Sequence, residues 1–324
     1  MTVRIATHSG SFHADDVFGV SVLAALHPDH EIVRTRDAGQ MQSADFLVDV
    51  GGEWDEARGR FDHHQRGFQG ARQRPDAKGA MVRAEGYASA GLVWRAFGPA
   101  YVKHVARGMG HGELDDARIA QIAGEIDASL VRYLDLVDTG ADTVAPGVYG
   151  LGSQLALLNG TWLEEHGLDG AAAAQLQMER FREAMAIVQR LLQRLVLRRI
   201  GQELAADKVR NAQRLLGGRV LYLAEGGMPW TAVVLQEMPE VLLVLYPESD
   251  EGGQRFVLRT VPAAPDSFAS RMDLPQAWAG LRDEQLAQAS GVLDALFCHT
   301  NLFIAVARSQ DGALQLARIA LGAV

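Results

Sequence analysis

Four short segments rich in histidine and aspartate each follow an apolar run, and this arrangement restricts the chain to few folds. Val3-Arg4-Ile5-Ala6-Thr7 reads as a strand, and His8-Ser-Gly-Ser-Phe-His13-Ala-Asp15-Asp16 follows it directly. Phe46-Leu-Val-Asp49-Val50 reads as a second, buried parallel strand with Gly51-Gly52 as its turn. Arg60-Phe61 leads into Asp62-His63-His64, and Leu134-Asp135-Leu-Val-Asp138-Thr-Gly ends a helical stretch. In open α/β sheets, ligands gather outside the carboxyl ends of the strands, so these positions can converge. The pattern predicts an α/β sheet with helices on its faces.

The spacing predicts helices over 15–26, 89–97 and 115–137 and a long one over 171–206. In the last, Phe181, Met185, Val188, Leu192 and Leu195 form one apolar stripe. That stripe reads either as a packed helix with a solvated face or as a bridging helix that doubles as a seam between two copies. Arg66 to Lys78 has no period and reads as an exposed loop. From Gly217 the texture changes to short strands over 219–224, 232–236, 241–246, 255–260, 295–298 and 302–307, with one helix over 282–289. The expected division is therefore 1–216 and 217–324.

A chain of 324 residues has room for two domains. No apolar run approaches the ~18 residues of a membrane span, and the N-terminus lacks the apolar region of a secretory signal. The single cysteine, Cys298, cannot close an internal disulfide, so a reducing cytoplasm is the expected compartment. A net charge of -9 excludes a generally basic nucleic-acid coat. It leaves room for a local basic groove or for bound cations that offset the acidic remainder. There is no GxxxxGK[ST] phosphate loop, paired CxxC or HExxH. The sequon at Asn159 carries no meaning in such a compartment.

Imidazoles and carboxylates together suit manganese, magnesium, iron or zinc, and without thiolates they do not select zinc. Crowded carboxylates repel one another unless cations neutralise them, and two divalent ions would do so. Each element alone has a plain alternative. Asp-His-His occurs in surface loops, Asp49 could cap a turn, and His8 and His13 could be ordinary hydrogen-bonded side chains. The ordered set of four segments is what favours a metal centre.

The chain resembles the DHH phosphoesterase superfamily, which includes RecJ-type exonucleases, manganese-dependent inorganic pyrophosphatases and small-oligonucleotide phosphodiesterases. Within it the chain is most similar to the melanocyte-proliferating-gene family. The stretches concerned are 7–16, 48–52, 61–68, 89–94 and 135–140, with 267–271 and 274–282 far downstream. The resemblance implies an N-terminal DHH-type domain with a mainly parallel sheet, joined by a long helix to a smaller α+β C-terminal domain. It implies that His8 and His13 bind a first ion, that Asp15, His63 and Asp138 bind a second, and that Asp49 bridges both. Asp62 would orient a histidine, and His64 would face the scissile phosphate as donor or general acid. Several superfamily members carry Asp-x-Asp where this chain has His13-x-Asp15, which makes the site one negative charge poorer. Two divalent ions are expected, manganese first and magnesium as the alternative.

The same resemblance implies a 3′–5′ exoribonuclease-like hydrolase acting on RNA or short oligonucleotides, with the second domain selecting substrate. Arg271, Arg282 and His299 are its candidate phosphate or nucleotide contacts, with structural ion pairs as the alternative for each arginine. The family is Gly-rich near this histidine, whereas His299-Thr-Asn-Leu-Phe-Ile-Ala-Val has no glycine. Arg66, Arg72, Arg74, Lys78 and Arg83 could steer phosphate or form a solvated loop. Other readings are a small-molecule phosphatase or pyrophosphatase, and a non-catalytic metal- or nucleotide-binding protein. No membrane partner is expected, and a homodimer is allowed.

Overall fold

In the computed structural model, which describes residues 2–75, 81–110, 112, 114–141, 150–250, 253–265 and 267–322, the chain divides into two units, Met1–Ile200 and Gly201–Val324. Both are mixed α/β. No helix among the described residues is long and apolar enough to cross a membrane.

The first unit is built on five strands, β1 (Val3–Thr7), β2 (His30–Arg34), β3 (Phe46–Val48), β4 (Trp54–Asp55) and β5 (Arg60–Phe61), in the order β2-β1-β3-β5-β4. All neighbours are parallel except β4, which runs antiparallel on the edge. Central parallel strands are covered on both faces, and Ile5, Ala6, Val48 and Phe61 are fully buried. Helix α1 (Ala14–Leu26) makes the first crossover, and α2 (Ala38–Gln42) is a short turn. Every residue of α1 from Ala14 to Ala24 is buried, as expected for a helix packed on all sides. Gly19 permits this, because a Cβ there would stand 2.7 Å from Val48 Cγ1 and 3.3 Å from Val93 Cγ2.

Strand β6 (Ala71–Pro75), paired with β7 (Met81–Gly86), lies within the stretch 66–78 expected to be loop; Lys78 lies outside the described residues. Helix α3 (Ser89–Gly108) follows. The single helix expected over 115–137 is three pieces: α4 (Asp116–Ile126), a π-helical turn Asp127–Val131, and α5 (Arg132–Asp138). Short helices α6 (Leu151–Ala156) and α7 (Trp162–Glu165) precede α8 (Gly170–Arg210), which has 41 residues. Its stripe of Phe181, Met185, Val188 and Leu192, continued by Val196, is buried within the same chain. The stripe therefore packs as a core face and is not open as a seam.

The second unit holds a six-stranded sheet of β8 (Gln213–Leu215), β9 (Val220–Tyr222), β10 (Leu243–Asp250), β11 (Gly253–Thr260), β12 (Ala295–Cys298) and β13 (Ile304–Ala307), in the order β12-β13-β11-β10-β9-β8. Only β9 and β10 pair in parallel. One face packs Leu243, Leu245, Leu258 and Ala305 with residues of α10 (Asp283–Ser290) and α11 (Gln310–Ala320). The other packs Leu221 and Val244 with Val233 and Val234 of α9 (Thr231–Glu237). The 232–236 run, expected as a strand, is thus helical. Trp230, Val234 and Met238 recur every fourth residue and share one cluster, a helical spacing that outweighs the β-branched composition.

Candidate metal centre

Parallel pairing sets Thr7 opposite Val48 and Val48 opposite Phe61. The residues that follow, His8, Asp49 and Asp62, therefore leave one sheet edge side by side, about 4.8 Å apart per strand. His8 Nε2 lies 3.4 Å from Asp49 Oδ2, and His63 Nδ1 lies 3.6 Å from Asp49 Oδ1. One buried carboxylate thus presents an oxygen to each of two histidines. Asp49 holds φ +57°, a left-handed conformation that costs a non-glycine residue about 1–2 kcal/mol and is found at constrained functional positions.

Two helix N-termini complete the cluster. The start of α1 brings in His13, Asp15 and Asp16, and Asp16 Oδ1 accepts the His13 N–H at 2.8 Å, fixing the entry turn. The N–H groups of Ser89 and Ala90 at the start of α3 donate to Asp15 at 3.0 and 2.6 Å. A buried carboxylate at a helix N-terminus is stabilised by these otherwise unpaired donors. Asp138, at the end of α5, reaches His63 Nε2 at 3.3 Å. Donor atoms of His8, His13 and Asp49 lie within 4.8 Å of one another, and so do those of Asp15, His63 and Asp138. Asp62 accepts from Gly52 N at 2.6 Å and pairs with His64 Nδ1 at 2.9 Å, which orients His64, an exposed member of the cluster like His13.

The charges are poorly balanced without a cation. Burial, then Asp49, Asp138 and Asp135, push the Asp15 carboxyl well above its usual range against the Ala90 N–H. Burial also pushes Asp16 up to about 7, with His8 opposing. Burial acts on Asp49 in the same sense, but His8, His63 and His64 outweigh it and hold the carboxyl below its usual range. Burial would lower His8 and His63, and the facing carboxylates raise both instead. His8 Nε2 and Asp16 Oδ2 are buried without a hydrogen-bond partner, though 3.3 Å apart. Orphaned donors, crowded carboxylates and a mixed imidazole–carboxylate set fit hard or borderline divalent ions.

Several supporting residues have no role in the sequence reading. Ser89 Oγ stands 3.1 Å from both Asp49 Oδ1 and His63 Nδ1, linking them. Asp135 accepts the Gly91 N–H at 2.9 Å, and Gly91 must be glycine, since a Cβ there would fall 2.0 Å from Asp135 Oδ2. Asn159 receives Phe12 N–H at 2.8 Å and donates to Phe12 C=O at 2.9 Å, clamping the turn between His8 and His13. Arg72, read as either a phosphate-steering residue or part of a solvated loop, is 6% exposed and closes on Asp127 and Asp135. It is a buried ion-pair partner and is corrected accordingly.

The three expected substrate contacts lie in the second unit, where Arg282 and His299 both pack against Phe297 and Arg271 is engaged elsewhere. Arg271 directs its guanidinium at the Met238, Val241, Val234 and Leu235 carbonyls at 2.7–3.4 Å. It closes the C-terminal end of α9, which favours the structural alternative over the phosphate contact. Arg282 stacks on Phe297 at 4.5 Å and, with Arg255, Arg259 and Tyr246, lines a cavity of about 570 Å³. His299 packs against Phe303 at 4.4 Å and accepts the Asn301 N–H at Nδ1.

The family described as Uncharacterised protein family (UPF0160) matches residues 4–321. The MYG1 exonuclease of Homo sapiens is 35% identical over 98% of this chain and 85% of that protein. A MYG1 protein of Caenorhabditis elegans is 31% identical over 99% and 96%. A solved pGpG-specific phosphodiesterase of Vibrio is 12% identical over 98% and 97%, with a TM-score of 0.27, too low to bear on function.

Proposed function

The chain belongs to the MYG1 family, UPF0160, over nearly its whole length, and from that premise we propose that it is a metal-dependent phosphodiesterase, an exonuclease acting on RNA or short oligonucleotides. The observation that carries this reading is the Asp49 carboxylate set between His8 and His63 at 3.4 and 3.6 Å. His8, His13 and Asp49 would hold one ion. Asp15, His63 and Asp138 would hold a second, with Asp49 shared. When bound, divalent ions there supply charge neutralisation, polarise a phosphoryl oxygen and acidify water.

The side chains carry the remaining tasks. Asp15 is fixed by two α3 N–H groups and cannot swing away when a substrate arrives. Asp62 receives His64 Nδ1, so Nε2 of His64 is the ring atom left to donate a proton to the leaving oxygen. Ser89 ties His63 to Asp49 and keeps the shared carboxylate in register. The negative field of the cluster would repel a phosphate unless cations occupied it, so activity requires added metal.

The test is purified protein with manganese, given 5′-labelled RNA, DNA of the same sequence and pyrophosphate side by side. Stepwise shortening of RNA that stops with a chelator supports the reading. Release of phosphate from pyrophosphate, with both strands intact, would replace it with a small-molecule phosphatase.

A further inference from the structure

Helix α5 and the π-helical turn before it carry an apolar stripe that the core only partly uses. Leu130, Tyr133, Leu134 and Val137 follow i, i+3, i+4, i+7 spacing, the pattern of a face that is normally buried. Yet Tyr133 is 39% and Val137 50% exposed. The stripe lines a cavity of about 650 Å³ together with Leu151 of α6 and with His13, Asp15 and Asp138. Leu130 sits in the Asp127–Val131 π-turn, a rare widening that occurs frequently at functional sites. Arg132, paired with Glu85 at 2.6 Å, packs over the Tyr133 ring at 4.9 Å and holds it in place.

The cavity's lining is mixed. Asp138 ends α5, five residues beyond Tyr133, and joins His13 and Asp15 in the lining, which includes no lysine or arginine among the described residues. A ligand suited to it is therefore anionic at one end, where cations would receive it, and uncharged and flat at the other. Its volume falls in the range of small-molecule sites. Resting on the phosphodiesterase reading above, the chemistry is narrower still, because a nucleoside lies one ester bond from the phosphate being cleaved. We propose that this cavity binds that nucleoside, with its base stacked on Tyr133 and its sugar along Leu134 and Val137. Stacking is tolerant of base identity, since every base has a π-face. Tyr133 thus selects nucleotides over other phosphoesters without choosing among bases.

The test uses the full chain with manganese and compares equilibrium binding of AMP and of ribose 5-phosphate. The wild type should prefer AMP by about 5- to 150-fold, the range of one base–aromatic stack. Tyr133→Ala should lose most of that preference while ribose 5-phosphate and manganese binding hold, and Tyr133→Phe should retain it. Equal binding of the two ligands by a wild type that cleaves RNA overturns this inference alone, as does an undiminished preference in Tyr133→Ala. Absence of metal-dependent RNA cleavage in the wild type overturns the reading above and this one with it.

Discussion

The Arg72 guanidinium closes on the fully buried Asp135 carboxylate, joining the β6–β7 hairpin to α5 across 63 residues of sequence. Asp135 in turn receives Gly91 N–H, so hairpin, α3 and α5 meet at one carboxylate. Asp138 lies one helical turn further along α5, which makes this junction the mount of a candidate ligand. Burial pushes Asp135 up to about 7, and Arg72 and the Gly91 N–H oppose that rise. Arg72→Ala would leave two carboxylates without their cation. It should cost about 3–5 kcal/mol, the range for breaking a buried pair, read as a lowered urea midpoint. A loss below about 1 kcal/mol would show that the junction is not structural.

Arg271 gives the opposite expectation from a substrate clamp. Its hydrogen bonds to the carbonyls at the end of α9 are charge-assisted contacts, worth about 1.5–3 kcal/mol for such a group. Arg271→Ala should therefore lower the melting temperature and leave kcat/KM for RNA within about twofold. A drop of tenfold or more in kcat/KM at unchanged melting temperature would restore the phosphate contact.

Asn159 holds both backbone groups of Phe12, between the candidate ligands His8 and His13. Removing an outer partner of a metal site commonly costs 10–100-fold in metal affinity or activity. Asn159→Ala should weaken manganese binding by about tenfold or more while the far-UV circular dichroism spectrum is retained. Unchanged affinity would mean that the turn holds its shape without the clamp.

How much of this was legible in the sequence follows from physical range. The strand ends could be read because apolar runs and the polar residues after them are local, and β1, β3 and β5 do deliver His8, Asp49 and His63 to one edge. Helix α9 was misread because a short run such as Ala232-Val-Val-Leu-Gln236 satisfies strand and helix alike until Trp230 and Met238 are seen to pack with Val234. Helix α11 did carry a signal, with Ser309 as cap and Ala313, Leu316, Ala317 and Ala320 at helical spacing. Arg72 could not be placed, since its partners Asp127 and Asp135 are 55 and 63 residues away. Asn159 meets Phe12 across 147 residues, which no local pattern encodes. Asp16 was visible in the first motif, but its burial against His8 depends on how α1 packs.

The central claim is that Asp49 is shared by two bound ions, and the most direct measurement is manganese bound per chain at equilibrium, taken with RNA turnover on the same samples. The wild type should bind two ions. Asp49→Ala should stay folded, bind fewer than two at the same free manganese, and lose turnover by at least about 1000-fold, or ~4 kcal/mol of activation free energy. Wild-type turnover by Asp49→Ala at saturating manganese, or a single ion in a fully active wild type, would contradict the account.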